Sequence, residues 1–298
     1  MHHTASLSLY NSCSFDLPIA SKTPQTIDWK AAYKVSFQEM NTLITGASSG
    51  VGEGIALECA KRGDTLFLCG RCRVRLLDVA ERCRKAGAAA VYPETVDVTD
   101  REKVRAWLLE CDAVAPLERI FSNAGVGTGI ENEENVRETW AINVGGNLNT
   151  VLPAIEIFRS RPEGVHPHRQ ILITASIAGY GPLASCPAYS GSKAAMKTWA
   201  LSLRGMLKKE GIMVSAICPG FIRSRITDRN TCPMPFFMEA DEAAKIILRR
   251  ADRNVGMIAF PWPMRLATWW LSTLPYRVNE WINSLLPEKT AGTTPSPF

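Results

Sequence analysis

Residues 42–52 read Thr-Leu-Ile-Thr-Gly-Ala-Ser-Ser-Gly-Val-Gly, an apolar run closed by three spaced glycines. The run Thr42 to Thr45 has the make-up of a buried strand, and helical periodicity begins near Val51. Gly46 permits a tight turn, Gly50 lets backbone approach a pyrophosphate, and Gly52 allows the following helix to lie close on the sheet. Unpaired N–H groups at the start of that helix then face the anion. The spacing departs from the common G-x-G-x-x-G, and glycine-rich turns also arise for steric reasons alone. The turn therefore draws its weight from its place at the first strand-to-helix junction.

Beyond this turn, strand and helix signals alternate. Thr65–Cys69, Ala89–Val96, Ile120-Phe121, Gln170–Thr174, Met213–Cys218 and Val255–Phe260 are the further strand candidates, which makes seven. Helical patterns separate them: a basic amphipathic one after Cys69, one capped by Thr99 or Asp100, a long one through Trp140 and Val151, and Ala188–Leu203. Short continuous apolar runs joined by crossover helices predict an α/β fold, a doubly wound parallel seven-stranded sheet covered on both faces. Residues 40–261 hold this pattern and form one domain of ordinary size.

The chain has 298 residues, 46% hydrophobic and 21% charged, with a formal charge of +5 spread along its length. These proportions exclude a disordered or collagenous protein, and the charge implies no nucleic-acid partner. Nine cysteines show no paired framework, which fits a reducing cytoplasm. Cys69 and Cys72 form an isolated C-x-x-C without a second pair, and His2, His3, His166 and His168 lack structural-zinc spacing to it. The pair reads as two small hydrophobes, and no metal is expected. Residues 1–39 lack a basic segment followed by an apolar one, and Asp16, Asp28 and Glu39 interrupt their apolar character. They are expected to be a disordered or loosely attached leader. Met40, directly before the first strand, is expected to serve as an alternative start of translation, which mass spectrometry of the natural N-terminus tests.

An acidic residue closing the second strand would accept hydrogen bonds from a ribose 2′-hydroxyl. The sequence there is Cys69-Gly-Arg-Cys-Arg-Val-Arg75, with no carboxylate. A guanidinium suits a 2′-phosphate by charge and fork geometry, so NADP is favoured over NAD, with Arg71 as main contact and Arg73 secondary. Arg75 reads as part of a solvated basic face. Asp97, after the third strand, is placed either to approach the adenine or to cap the next helix.

Ser176 ends a strand, and Tyr189 and Lys193 lie four residues apart on one helical face. An ammonium about 5 Å from a phenolate is worth roughly 3 kcal/mol at an effective dielectric near 20. That predicts a phenol drawn down from about 10 toward working pH, as general acid–base catalysis on a carbonyl or alcohol requires. Ser176 supplies a second hydrogen bond to the same oxygen.

These motifs, in this order, resemble the classical short-chain dehydrogenase/reductase family over residues 40–261. Thr45–Gly52 is similar to the family's T-G-x-x-x-G-x-G turn, Asn123-Ala-Gly125 to its N-A-G segment, and Pro219-Gly220 to the turn after strand six. Asn143, Ser176, Tyr189 and Lys193 match the catalytic set. The resemblance implies a Rossmann fold and hydride transfer between a nicotinamide and a carbonyl or alcohol. It implies Tyr189 as acid/base, Ser176 polarising the substrate oxygen, Lys193 on the nicotinamide ribose, and Asn143 fixing a water that links Lys193 to solvent. Asn143 is also open to a purely local role, bonding neighbouring backbone, as is Asn123 at its strand end. The implied cofactor set is Gly46, Ser48, Ser49, Gly50, Val51, Gly52, Arg71, Asp97, Val98, Asn123, Ala124, Gly125, Tyr189, Lys193, Pro219, Gly220, Ile222 and Ser224. Ser122 and Ser224 depart from the asparagine and threonine often found in the family, and both keep a polar group. A homodimer or homotetramer follows from the resemblance alone.

Phe221–Met238 corresponds to a substrate lid, and its Phe and Met side chains read equally as an apolar substrate wall or as packing on the core. The extension 262–298 holds Trp262, Trp269, Trp270 and Trp281, half of the chain's eight tryptophans. Two helices are predicted there, Pro263–Leu274 and Tyr276–Leu286, each too short to span a bilayer. Their pattern suits a membrane-surface helix through 262–286, a subunit contact or a cover over the cleft, although the polar face lacks the Lys and Arg that usually support membrane docking. The leading expectation is an NADPH-dependent reduction of an apolar ketone or aldehyde. Its alternatives are a nucleotide-bound sensor or scaffold without turnover, and a membrane or partner-binding module acting through the extension.

Overall fold

The computed structural model describes residues 39–127, 131–162, 168–228 and 233–285. The expected leader up to residue 38, the stretch 229–232 of the lid and the residues from 286 onward lie outside the described residues. Seven strands form one sheet: β1 (Asn41–Thr45), β2 (Thr65–Cys69), β3 (Ala90–Glu94), β4 (Arg119–Ser122), β5 (Gln170–Thr174), β6 (Met213–Pro219) and β7 (Met257–Phe260). Their order is β3-β2-β1-β4-β5-β6-β7, and every pairing is parallel. The expected doubly wound sheet is thus the observed one. The order in which successive strands are added to the sheet reverses between β1 and β4, and the crevice at their carboxyl ends is where such sheets bind ligands.

The helices are α1 (Gly50–Ala60), α2 (Arg73–Ala86), α3 (Arg101–Val114), α4 (Glu133–Trp140), α5 (Asn147–Ser160), α6 (Pro187–Leu207), α7 (Ala240–Ala251), α8 (Trp262–Thr273) and α9 (Tyr276–Leu285). Local chemistry sets several of their ends. Asp100 caps α3 by accepting from the Lys103 N–H, Asn132 caps α4 by accepting from Asn135, and Pro187 opens α6 where no N–H is needed. Gly87, at φ 109°, ends α2 in the left-handed region. The single long helix expected through Trp140 and Val151 is in fact α4 and α5 joined by a π-helical turn, Ala141–Gly146. An inserted residue in a helix produces such a turn, and apolar periodicity does not register it.

Both sheet faces are covered. One face packs Leu43, Ile120, Ile171, Val214 and their neighbours against α3, α5 and α6, and the other packs Ile44, Leu66, Leu172 and Ile258 against α1, α2 and α7. At the amino edge, far along the strands from the crevice, Arg119 is fully buried. Its Nε donates to Gln170 Oε1 at 2.7 Å and its Nη2 meets Asp252 at 2.8 Å, while Arg62 reaches the other Asp252 oxygen at 2.9 Å. This network ties β4, β5 and the end of α7 together. The seven described cysteines, Cys69 and Cys72 among them, are free thiols.

Candidate active site

The β1–α1 turn needs its glycines. Gly46 has φ 67° and Gly50 has φ 60°, both in the left-handed region. A Cβ on Gly46 would stand 2.8 Å from Ala124 Cα, and one on Gly52 would stand 2.3 Å from the Gly46 carbonyl oxygen. Gly52 therefore brings α1 against the turn. Gly50 instead faces the lid: its Cβ would lie 2.8 Å from Ser224 Cβ. Ser49, extended at φ −171°, leaves the first turn of α1 without a side-chain cap, so its amides remain available to an anion. Val51 packs partly on the core, and Ser48 lies beside Gly70 at the end of β2, where a Cβ on Gly70 would stand 2.9 Å from the Ser48 hydroxyl.

Beyond Gly70, Arg71 is exposed and meets Glu138 of α4 at 3.4 Å. Arg73 is exposed as well. Arg75 departs from expectation: it is half-buried, and its Nε is buried without a hydrogen-bond partner. A guanidinium placed so does not belong to a solvated face. It is one turn into α2, on the helix face that two turns later carries Arg82, which pairs with Glu53 of α1. Asp97 accepts from both the N–H and the hydroxyl of Thr99 at 2.9 Å, so its carboxylate shapes the turn, while Asp100 caps α3. Val98 is buried against Gly146 of the π-helical turn, and its carbonyl accepts from Asn149 at 2.9 Å.

Asn123 joins three strand ends. Its backbone N–H donates to Thr45 Oγ1 at 2.9 Å, its side-chain amide donates to the Thr45 carbonyl at 3.2 Å, and its Oδ1 accepts from Thr174 at 3.1 Å. Asn143, fully buried, bonds Val126 in both directions at 2.8 and 3.0 Å and donates to Ser192 Oγ at 3.0 Å. Ser192 passes this on to the Tyr189 carbonyl at 2.8 Å, linking the π-helical turn to α6. A Cβ on Gly125 would stand 3.1 Å from both Asn143 Oδ1 and Lys193 Nζ, which places the three around one point.

Ser176 accepts from the Ala178 N–H at 3.1 Å and donates to the Pro219 carbonyl at 3.4 Å, a long bond that exchanges readily. Its hydroxyl is close enough to the Tyr189 phenol to favour the charged form of that group. Lys193, almost fully buried, donates to the Thr174 carbonyl at 2.9 Å and sits 5.8 Å from the Tyr189 ring centroid. Burial pushes the Tyr189 phenol up to about 12, against the opposing pull of Ser176, and burial brings the Lys193 ammonium down to about 8. The expected lowering of the phenol by Lys193 is therefore overturned in the chain alone. Spacing on a helix reports proximity, but the cost of burying each charged form sets the direction of both shifts.

The lid divides between its two readings. Ile222 is buried, bridges Met238 and belongs to the core, whereas Phe236 and Phe237 are exposed. Ser224 is locked in a turn with Thr227, whose hydroxyl accepts from the Ser224 N–H at 2.8 Å and donates to the Ile222 carbonyl at 2.8 Å. The Gly220 N–H donates to the Phe260 carbonyl at 2.8 Å. Thr227, Ser192 and Glu131, which accepts from the Ala188 N–H at 3.1 Å, carry no spacing signal, because each meets its partner only after folding.

Residues 40–232 match the family model for short chain dehydrogenase. The chain belongs to the short-chain dehydrogenase family. An uncharacterized oxidoreductase of Myxococcus xanthus is 35% identical over 239 residues, 78% of this chain and 92% of its own length. The 11-beta-hydroxysteroid dehydrogenase A of Sesamum indicum is 29% identical over 267 residues, 82% of this chain and 74% of its own. The short-chain dehydrogenase of Sphingobium yanoikuyae, solved in complex with NADPH, superposes with a TM-score of 0.68 at 26% identity, covering 85% of this chain and 99% of that one. As a short-chain dehydrogenase the protein is an oxidoreductase acting on CH–OH groups with NAD(P). The uncapped helix start, the left-handed glycines and the unpartnered Arg75 Nε fit a phosphate-bearing dinucleotide.

Proposed function

We propose that this short-chain dehydrogenase reduces an apolar ketone or aldehyde with NADPH. The observation that carries this reading is the convergence of Ser176, Tyr189 and Lys193 beside Gly125 and Asn143 at the carboxyl edge of the sheet. The nicotinamide, when bound, supplies the hydride. Tyr189 holds the proton that the substrate oxygen receives, and a phenol near 12 is protonated throughout the neutral range, the state reduction needs. Ser176 exchanges its long bond to Pro219 for one to the substrate oxygen. Lys193 keeps an ammonium beside the ring, and Asn143 holds the Val126 backbone and Ser192 so that the ammonium and α6 keep their places.

The choice of NADP rests on Arg71 and Arg75 and on the absence of a carboxylate from residues 69–75. The NADPH held by the Sphingobium relative supports it. The exposed phenylalanines of the lid support an apolar substrate, as does the steroid named for the Sesamum relative. A homodimer or homotetramer, to be measured by light scattering, is the assembly we propose from family membership; Leu152, Leu201 and Met206 on α5 and α6 are exposed. Free thiols support a reducing, cytoplasmic setting.

The test is a panel of carbonyl compounds, from short and polar to long and apolar, followed by loss of reduced-nicotinamide absorbance in the native chain and in Tyr189→Phe. Turnover confined to the native chain supports the reading, and equal turnover in both overturns it.

A further inference from the structure

The helices α8 and α9 turn apolar side chains outward. On α8, Trp262, Leu266, Trp269 and Trp270 recur at helical spacing and are between 54% and 72% exposed, while Met264, Thr268 and Leu271 face inward. On α9, Val278, Trp281 and Leu285 continue the exposed set. The inner side is anchored beside the site: a Cβ on Gly220 would stand 3.1 Å from Met264 Sδ and 3.3 Å from Ile177. Among the described residues no helix is long and apolar enough to cross a membrane. At 12 residues α8 is about 18 Å long, against a hydrocarbon core of about 30 Å.

Charge decides what fits this face. Sequence places few cations on the two helices, but the fold brings others to them. Arg250 of α7, whose Nη1 donates to the Ala259 carbonyl at 2.8 Å, lies close enough to Arg265 of α8 and to its neighbour Arg249 that both add to burial in lowering its pKa. Arg265 is also close enough to Tyr180 to oppose the burial that raises its phenol, and the Tyr180 ring carries Lys197 at 4.2 Å while its hydroxyl donates to Met257 Sδ at 3.2 Å. None of Lys197, Arg249, Arg250 and Arg265 joins an ion pair among the described residues. A two-fold contact with a second copy would lay this patch on itself and bring like charges together. Tryptophans beside unneutralised arginines suit a headgroup layer instead.

We propose that the outer face of α8 and α9, with the Arg249–Arg250–Arg265 cluster, docks in the plane of an anionic phospholipid surface. The docking places the Gly220 wall of the substrate crevice next to the bilayer. Only this last point rests on the oxidoreductase reading.

The purified full-length protein is floated with vesicles of phosphatidylcholine, with or without phosphatidylserine. The protein is expected to float with the phosphatidylserine vesicles and to be released by high salt. Trp269→Ser combined with Trp270→Ser is expected to cut vesicle binding about tenfold or more, and Arg249→Gln with Arg265→Gln to remove the preference for phosphatidylserine and the salt effect. Turnover of a water-soluble carbonyl is followed in parallel, so that loss of docking and loss of catalysis are read apart. The proposal is overturned if the native protein stays at the bottom with both vesicle types, or if the tryptophan variant floats like the native chain. It is equally overturned if that variant turns an oligomer into a monomer while neither form floats.

Discussion

Lys193 Nζ stands 5.8 Å from the centre of the Tyr189 ring. Both groups are crowded by protein, and each is driven toward its neutral form, the phenol to about 12 and the ammonium to about 8. Reduction needs the phenol protonated and the ammonium charged. As pH rises, the ammonium is lost first, so kcat/KM for reduction should fall through a limb near 8 in the free enzyme. Lys193→Arg keeps its charge at every working pH and should flatten that limb at a lower plateau. A pH profile unchanged by the substitution would assign the limb to another group.

The same burial has a cost in stability. A lysine near 10.5 in the unfolded chain and about 8 in the folded one favours unfolding below 8, and the penalty fades as pH rises between those values. Lys193→Met should therefore raise resistance to urea at neutral pH by about 1–3 kcal/mol while abolishing turnover. Unfolding curves at pH 7 and pH 10 check the sign, because the gain should shrink at the higher pH.

Gly125 tests how tightly the site is held. An alanine there places its Cβ 3.1 Å from both Asn143 Oδ1 and Lys193 Nζ, closer than either tolerates without moving. Gly125→Ala should lower kcat about tenfold or more with the melting temperature nearly unchanged. Steady-state kinetics alongside thermal melts separates this from unfolding.

Cofactor choice should respond to both guanidiniums and to one carboxylate. Arg71→Ala and Arg75→Ala should each weaken NADP about tenfold or more and NAD much less. Glu138→Gln frees Arg71 from its exposed partner and should improve NADP binding only about two- to fivefold, the scale of a surface ion pair. Titration calorimetry with the two dinucleotides measures all three.

At the opposite edge, Asp252→Ala removes the carboxylate that Arg119 and Arg62 share. A loss of about 3–5 kcal/mol in urea unfolding is expected, with the kinetic constants of the surviving folded fraction unchanged.

The strands and the glycine turn were legible because they are local. Thr65–Cys69 and Gln170–Thr174 were read to the residue, since each is a short apolar run between turn signals. Ser176, Tyr189 and Lys193 announced themselves through spacing within one strand-to-helix passage. The electrostatic state of Tyr189 did not, because it depends on atoms packed around the ring from elsewhere in the chain. Arg75 was misread for the same reason: basic neighbours suggest a wet face, and only packing shows its Nε buried. The cations beside α8 were equally hidden, because two of them belong to α7.

The π-helical turn Ala141–Gly146 carries one residue more than an ordinary helix would need over the same height. Deleting a single residue ahead of Asn143 in this turn would let α4 and α5 merge into one regular rod. The two ends would then rotate about 100° relative to each other around the shared axis. With α5 clamped by its core contacts, α4 and the Glu131 tether would have to swing away from α6. One codon's worth of length thus sets the angular register between the floor of the crevice and its rim.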